Sequence, residues 1–331
     1  MQIALDAFGS DHAPSPEVEG AVLAIRENIC DKIFLVGKEE ILTKELGKYF
    51  YDKSRIEIVP ASERIEMTDK AVSSVRKKKD SSLVRTVELH KDGIADAAVS
   101  AGNTGAAMSA SLFSYKRIKN IIRPALAVVF PTTSTPVILL DVGANVDCAP
   151  EHLLQFAHLG SLYSKYFFKS ENPRVSLLNI GEESEKGNEL VKKTYELLTN
   201  DEGINFQGNI EGKYLLQGGT DIIVCDGFVG NVMLKTFEGS VVSVLKIIKE
   251  QIAKDWIAKI GALLSFPAYA YLKKRLDHTE YGGSLLVGVR GITIIGHGSS
   301  NATAIKNAIK YATKIVESGF VQDTTDYFER Q

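Results

Sequence analysis

Cysteine is scarce in this 331-residue chain: Cys30, Cys148 and Cys225 stand far apart and outside any C-x-x-C spacing. An odd, dispersed set excludes a disulfide framework and reads as reduced thiols in a cytosolic protein. No charge of either sign dominates, with 39 Lys and Arg against 41 Asp and Glu and a net charge of −2. A dedicated nucleic-acid binder carries a basic surplus that displaces phosphate counterions, so no nucleic-acid partner is expected. The opening Met1–Asp6 enters a strand at once, without a basic segment and an apolar run behind it, so no secretion signal is expected. Residues 260–272 form the longest uncharged apolar stretch, shorter than the ~20 residues of a spanning helix.

Familiar signatures are missing as well. Gly296-His297-Gly298-Ser299-Ser300-Asn301 lacks the last glycine of G-x-G-x-x-G, and Lys235-Thr236 follows Leu234 instead of the glycine of a Walker A loop. Neither G-x-S-x-G nor H-E-x-x-H occurs. The six histidines show no metal-ligand spacing. No metal and no cofactor are expected.

What is present is a regular alternation. Strand-like runs at Gln2–Asp6, Lys32–Val36, Arg55–Val59, Ala95–Ser100, Leu126–Phe130, Pro136–Asp141, Arg174–Ile180, Asp221–Asp226 and Ile292–Gly296 are separated by helix-period segments. These helices are expected at Pro14–Asn28, Ser81–Asp92, Asn103–Lys116, Pro150–Phe168, Glu185–Thr199, Asn231–Ala253 and Asn301–Glu317. The order predicts an α/β fold of three layers, α/β/α, around a largely parallel central sheet. Only Pro131–Thr135 joins Leu126–Phe130 to Pro136–Asp141, too short for a parallel crossover, so that pair is predicted antiparallel and the sheet mixed. No linker or repeat breaks the chain, so residues 1–331 are expected to form one domain, with 231–280 as a protruding helical tip.

Polar and glycine-rich clusters follow the predicted strands: Asp6–His12, Ser100–Gly105, Asp141–Asp147, Asn179–Glu183, Asp226–Asn231 and Gly296–Asn301. Ligands of open α/β sheets sit at the carboxyl ends of strands, where helix N-termini also point. Ser100, Gly102, Asn103, Thr104 and Gly105 are therefore a candidate anion cradle, and an ordinary N-capped turn at Asn103 is the competing reading. Lys235 and Asn231 are candidates to meet a phosphate or a developing oxyanion; a solvated helix lysine beside a capping residue is the alternative. His12 and His297 are candidate proton shuttles or oxyanion donors, against a structural hydrogen-bonded role. Asp6, Asp11, Asp141, Asn145, Asp226 and Ser299 are expected around the substrate. The carboxylates among them would orient His, Lys and backbone groups, since a carboxylate repels an anion. Arg76-Lys77-Lys78-Lys79 is either an electrostatic landing site for an acidic partner or a solvated helix face.

Several of these clusters resemble a family signature. Asp6-Ala7-Phe8-Gly9-Ser10-Asp11-His12-Ala13-Pro14, Ser100-Ala101-Gly102-Asn103-Thr104-Gly105-Ala106 and Leu140-Asp141-Val142-Gly143-Ala144-Asn145-Val146-Asp147 are similar to motifs of the bacterial phosphate acyltransferases of phospholipid synthesis, the PlsX family. Pro150-Glu151-His152-Leu153, Asn179-Ile180-Gly181-Glu182-Glu183, Asp226-Gly227-Phe228-Val229-Gly230-Asn231, Tyr281-Gly282-Gly283 and His297-Gly298-Ser299-Ser300-Asn301 continue the likeness in order. Phe8 and Ser10 stand where that family usually has Met and Gly. The resemblance implies transfer of a long acyl chain from acyl carrier protein to inorganic phosphate. It also implies a fold similar to isocitrate/isopropylmalate dehydrogenases and phosphotransacetylases, in a cytosolic homodimer peripheral to the membrane.

The chemistry suits the residues. A thiol leaving group of ordinary pKa near 8.5 departs with little proton donation, and phosphate is already an anionic nucleophile. The protein then has mainly to hold phosphate against the carbonyl and stabilise the oxyanion. A nicotinamide-dependent dehydrogenase on the same fold and a non-catalytic membrane-surface scaffold are the competing functions. The helix over 231–253 is too apolar for one face on a sheet, so a second packing partner is expected. Trp256, Ile260, Leu263, Leu264 and Phe266, with Lys254 and Lys259 ahead of their apolar centre and Lys273-Lys274-Arg275 after it, suit either the headgroup boundary of an anionic membrane or a hairpin packed on a second subunit.

Overall fold

The computed structural model describes residues 1–276 and 282–330. Tyr281, which opens the Tyr281-Gly282-Gly283 motif, and the last residues of the expected tip lie outside them.

Among the described residues, eleven strands form a single sheet: β1 (Gln2–Asp6), β2 (Lys32–Gly37), β3 (Ile56–Pro60), β4 (Ala97–Ser100), β5 (Ala125–Phe130), β6 (Val137–Leu140), β7 (Arg174–Asn179), β8 (Asn205–Glu211), β9 (Ile222–Val224), β10 (Ser284–Val287) and β11 (Thr293–Ile295), in the order β3-β2-β1-β4-β11-β10-β5-β6-β9-β7-β8. The helices are α1 (Ser15–Arg26), α2 (Glu39–Leu46), α3 (Ala71–Lys77), α4 (Ser82–Lys91), α5 (Thr104–Tyr115), α6 (Pro150–Phe168), α7 (Glu189–Asn200), α8 (Gly227–Lys254), α9 (Trp256–Leu264), α10 (Phe266–Leu276), α11 (Ala302–Ser318) and α12 (Phe320–Arg330). Apolar residues of α1, α6 and α11 pack with Ile3, Leu5, Ile138 and Val224 on one face of the sheet. Those of α4 and α5 pack with Leu126, Val128 and Ile223 on the other, so the α/β/α sandwich follows from strands buried on both faces.

β5 and β6 form the expected antiparallel hairpin, Val128 opposite Leu139. β10 is antiparallel to both its neighbours, β5 and β11. These reversals divide the sheet. β1 to β4 and β11 run one way, while β6, β7, β8 and β9 run the other. The polar clusters after the strands therefore point to opposite edges of the sheet, not to one common edge.

Sequence periodicity overlooked β8, β10, α2, α3 and α12. β8 is a polar edge strand, Asn-Phe-Gln-Gly-Asn-Ile-Glu, without alternation. α2 buries only Leu42 and Leu46. α8 begins at Gly227 rather than Asn231, because the Asp226 carboxylate accepts the Val229 N–H at 2.9 Å and caps it there.

Candidate active site

Short central strands bring the opposed ends together. Ser100 is level with Ile295, Ile295 with Ser284, and Ser284 with Val128, while Leu140 stands opposite Ala127, only one residue away. The turn after β6 thus overlaps the level where β4 ends. A cavity of about 300 Å³ opens there over Leu126, Val128 and Ile295. Thr104 and Gly105 line it from the start of α5, and Gly143, Asn231, Lys235 and His297 from the other elements. Five of the residues singled out by sequence meet here: Thr104, Gly105, Asn231, Lys235 and His297.

Lys235 Nζ lies 2.8 Å from His297 Nε2 and 3.3 Å from Glu238 Oε2. On the other side of the ring, Nδ1 lies 2.8 Å from Ser299 Oγ and accepts the Ser299 backbone N–H at 3.2 Å. Ser299 thereby holds the imidazole ring in place, and Glu238 adds a carboxylate 3.8 Å from Nε2. Glu238 was not legible as a site residue: its place one turn beyond Lys235 is its only sequence signal.

Asp141 and Asn145 form the scaffold behind Gly143. The buried Asp141 carboxylate accepts N–H groups from Leu126 at 2.9 Å, Ala144 at 3.0 Å and Asn145 at 2.7 Å. Burial pushes its pKa up, and these hydrogen bonds pull against that shift. Asn145 donates to the Asp141 carboxylate at 2.9 Å and to the Pro124 carbonyl at 2.7 Å. The Asn145 carbonyl in turn accepts the Gly227 N–H at 2.7 Å, which ties this loop to the start of α8. Asp141, Asn145 and Asp226 therefore shape the site from behind it.

A parallel arrangement holds the α5 side. Asp6, buried, accepts from Ser100 Oγ at 2.7 Å, and Ser100 Oγ accepts the Gly102 N–H at 3.1 Å. Burial raises the Asp6 pKa, opposed by the Ser82 and Ser100 hydroxyls. Gly9 and Gly102 press the two loops together: a β-carbon at Gly9 would lie 2.8 Å from the Gly102 nitrogen. Asn103 caps α5, accepting the Ala106 N–H at 3.0 Å, and its amide donates to the Met67 and Asp69 carbonyls at 2.9 and 3.2 Å. Its side chain is fully engaged, so any anion at this helix meets backbone N–H groups of the first turn, which have no intrahelical acceptor.

Asp11 sits one layer out, its N–H donating to the Gly298 carbonyl at 2.8 Å. His12 is exposed and does not line the cavity. Beneath the same loop Glu17 accepts the Ser10 N–H at 2.9 Å, and burial lifts its pKa to about 7. The basic run is divided: Lys78 pairs with Asp69 at 2.6 Å and Arg76 lies 5.3 Å over the Phe113 ring, while Lys77 and Lys79 are exposed.

α8 leaves the sheet after its third turn, where Phe237 packs 4.5 Å from the Phe130 ring, and only Gly227 and Gly230 in it are buried. Asp255 caps α9, which buries no residue; Leu263 and Leu264 are 76% and 78% exposed. Trp256, Ile260 and Phe266 are exposed too. The chain turns at Ser265, one residue before Phe266, and Pro267 occupies the first turn of α10, where its missing N–H costs no helical bond.

Residues 1–323 match the model of a family described as Fatty acid synthesis protein. The chain is 51% identical over 329 residues to the phosphate acyltransferase of Pelotomaculum thermopropionicum, covering 99% of this chain and 95% of that protein. It is 47% identical over 324 residues to the phosphate acyltransferase of Fusobacterium nucleatum, covering 98% of each. A phosphotransacetylase from Streptococcus pyogenes shares the fold, with a TM-score of 0.63 at 16% identity over 96% of this chain and 94% of that one. Matched from end to end at this level of identity, the chain belongs to the phosphate acyltransferase family of fatty acid synthesis proteins.

Proposed function

We propose that the cavity between α5 and α8 is where a long-chain acyl group passes from an acyl carrier protein thioester to inorganic phosphate, giving acyl phosphate for phospholipid synthesis. A phosphate oxygen attacks the thioester carbonyl, the C–O bond forms, the tetrahedral oxyanion collapses and the C–S bond breaks. The sulfur leaves as thiolate and takes up a proton. The observation that carries this reading is the Lys235–His297 contact at 2.8 Å, facing the first turn of α5 across one cavity.

The division of roles follows from charge. Backbone N–H groups at Thr104 and Gly105 hold phosphate without a countercharge that would quench its nucleophilicity. Lys235 faces the oxyanion, Asn231 donates a hydrogen bond beside it, and His297 holds Lys235 in place and relays the proton to sulfur. Incubation with hexadecanoyl-acyl carrier protein and phosphate should yield a product that hydroxylamine traps as a hydroxamate. Equal hydroxamate without phosphate would refute the reading.

The unburied length of α8 favours a homodimer in which this helix packs on its equivalent in a second copy. Val242, Val244 and Ile247, each more than half exposed, supply the apolar contact. The tip residues Trp256, Ile260, Leu263, Leu264 and Phe266 then reach an anionic membrane surface, placing the enzyme at the cytoplasmic face of the cell membrane. Lys77 and Lys79 are candidates to steer the acidic carrier protein.

A further inference from the structure

A second cavity, of about 410 Å³, lies on the other flank of α8. Leu153, Leu177, Leu178 and Val191 form its walls, with Val229 and Met233 of α8 closing it. The polar side chains at its rim are occupied. Asp226 caps α8 through Val229, Asn188 caps α7 through Val191, and Asn179 donates to the Lys186 carbonyl. What remains for a ligand is an apolar surface.

α8 separates the two cavities but also joins them. Residues advance about 100° each around a helix, so Asn231, Lys235 and Glu238 share one flank and Val229 and Met233 the other. On the outer surface between these flanks stand Phe228 and Val232, 60% and 51% exposed. They form an apolar path from the Lys235 side to the second cavity. A helix with its side chains is about 10 Å across. A sixteen-carbon chain, at about 1.2 Å per extended bond, reaches roughly 18 Å. The way round the outer surface is about half the circumference, roughly 15 Å, so its carbonyl can stay at Lys235 while most of the chain crosses Phe228 and Val232 and its terminal carbons enter the cavity.

We propose that this cavity binds the terminal carbons of the substrate's acyl chain and sets the chain length accepted. The proposal rests on the acyl-transfer reading above. It gives the exposed aromatic Phe228 a purpose and explains why an apolar cavity opens one helix away from an anion site.

The test compares hexadecanoyl and hexanoyl thioesters of acyl carrier protein in the hydroxamate assay. Met233→Trp and Val191→Trp fill the cavity from two different walls. Each should lower the ratio of kcat/KM for the sixteen-carbon over the six-carbon donor at least tenfold. Phe228→Ser, at an exposed position that does not threaten folding, should raise KM for the sixteen-carbon donor severalfold more than for the six-carbon one. Unchanged ratios in all three variants, with wild-type enzyme active on the long donor, would overturn the cavity assignment alone. Absence of hydroxamate from either donor with wild-type enzyme would instead overturn the acyl-transfer reading beneath it.

Discussion

A β-carbon on Gly230 would overlap the backbone carbonyl oxygen of Asp141. Bare of a side chain, Gly230 lets α8 lie directly on the turn that follows β6, and this contact sets the height of Asn231 and Lys235 above the sheet. Gly230→Ala should push the helix outward. We expect a fall in kcat/KM of at least tenfold and a lower Tm, since overpacking of this kind costs about 1–3 kcal/mol. Wild-type melting and turnover in the alanine variant would show that the contact has slack.

Lys235→Ala should lower kcat on the order of 10²-fold, the effect of removing one group that stabilises a developing oxyanion. Lys235→Arg should recover little, because a planar guanidinium does not reproduce the point donor that reaches His297 Nε2. Steady-state rates at saturating phosphate decide the matter, and an active alanine variant removes Lys235 from the chemistry.

Asn103→Ala removes the α5 cap together with the amide bonds to Met67 and Asp69. Loss of the cap alone should cost about 1 kcal/mol of stability. Release of the Met67–Asp69 segment should loosen the first turn of α5 and raise the phosphate KM. Denaturant melts and phosphate titrations read the two effects separately; a stability loss with unchanged KM would leave Asn103 a cap and nothing more.

Glu17, buried with its pKa raised to about 7, makes stability depend on pH. The folded protein keeps this proton at pH values where the unfolded chain, with an ordinary carboxyl, has lost it. Stability should therefore fall as pH rises from about 4.5 to about 7 and then level off, by on the order of 3 kcal/mol in all. Glu17→Gln should flatten that slope. Chemical denaturation at pH 5 and pH 8 for both proteins gives the comparison.

Leu263→Glu combined with Leu264→Glu places two charges on the exposed surface of α9. Flotation with anionic liposomes should be lost while turnover of the carrier-protein thioester in solution is retained. Loss of the dimer in light scattering, with flotation intact, would instead assign the tip to the subunit interface.

Much of this protein is determined locally. Gln2–Asp6, Lys32–Val36 and Arg174–Asn179 are strands because β-branched and aliphatic runs bury both faces, and the five residues between β5 and β6 allow only a hairpin. The caps and glycine turns that follow the strands are equally local, which is why the residues of the candidate site could be proposed from sequence. The tertiary structure decided which of them meet. β10, a four-residue strand without its own periodic signal, lies antiparallel between β11 and β5, which run the same way, and its register sets the end of β4 level with β5 and so, across the β5–β6 hairpin, with the end of β6. That register brings Lys235 to His297 across 62 residues of sequence, while His12 lies exposed. It also divides the acidic residues: Glu238 enters the cavity, and Asp6 and Asp141 go beneath it. No single segment encodes this pairing, because it depends on register between strands distant in the chain, and register is fixed only when both faces of the sheet are packed.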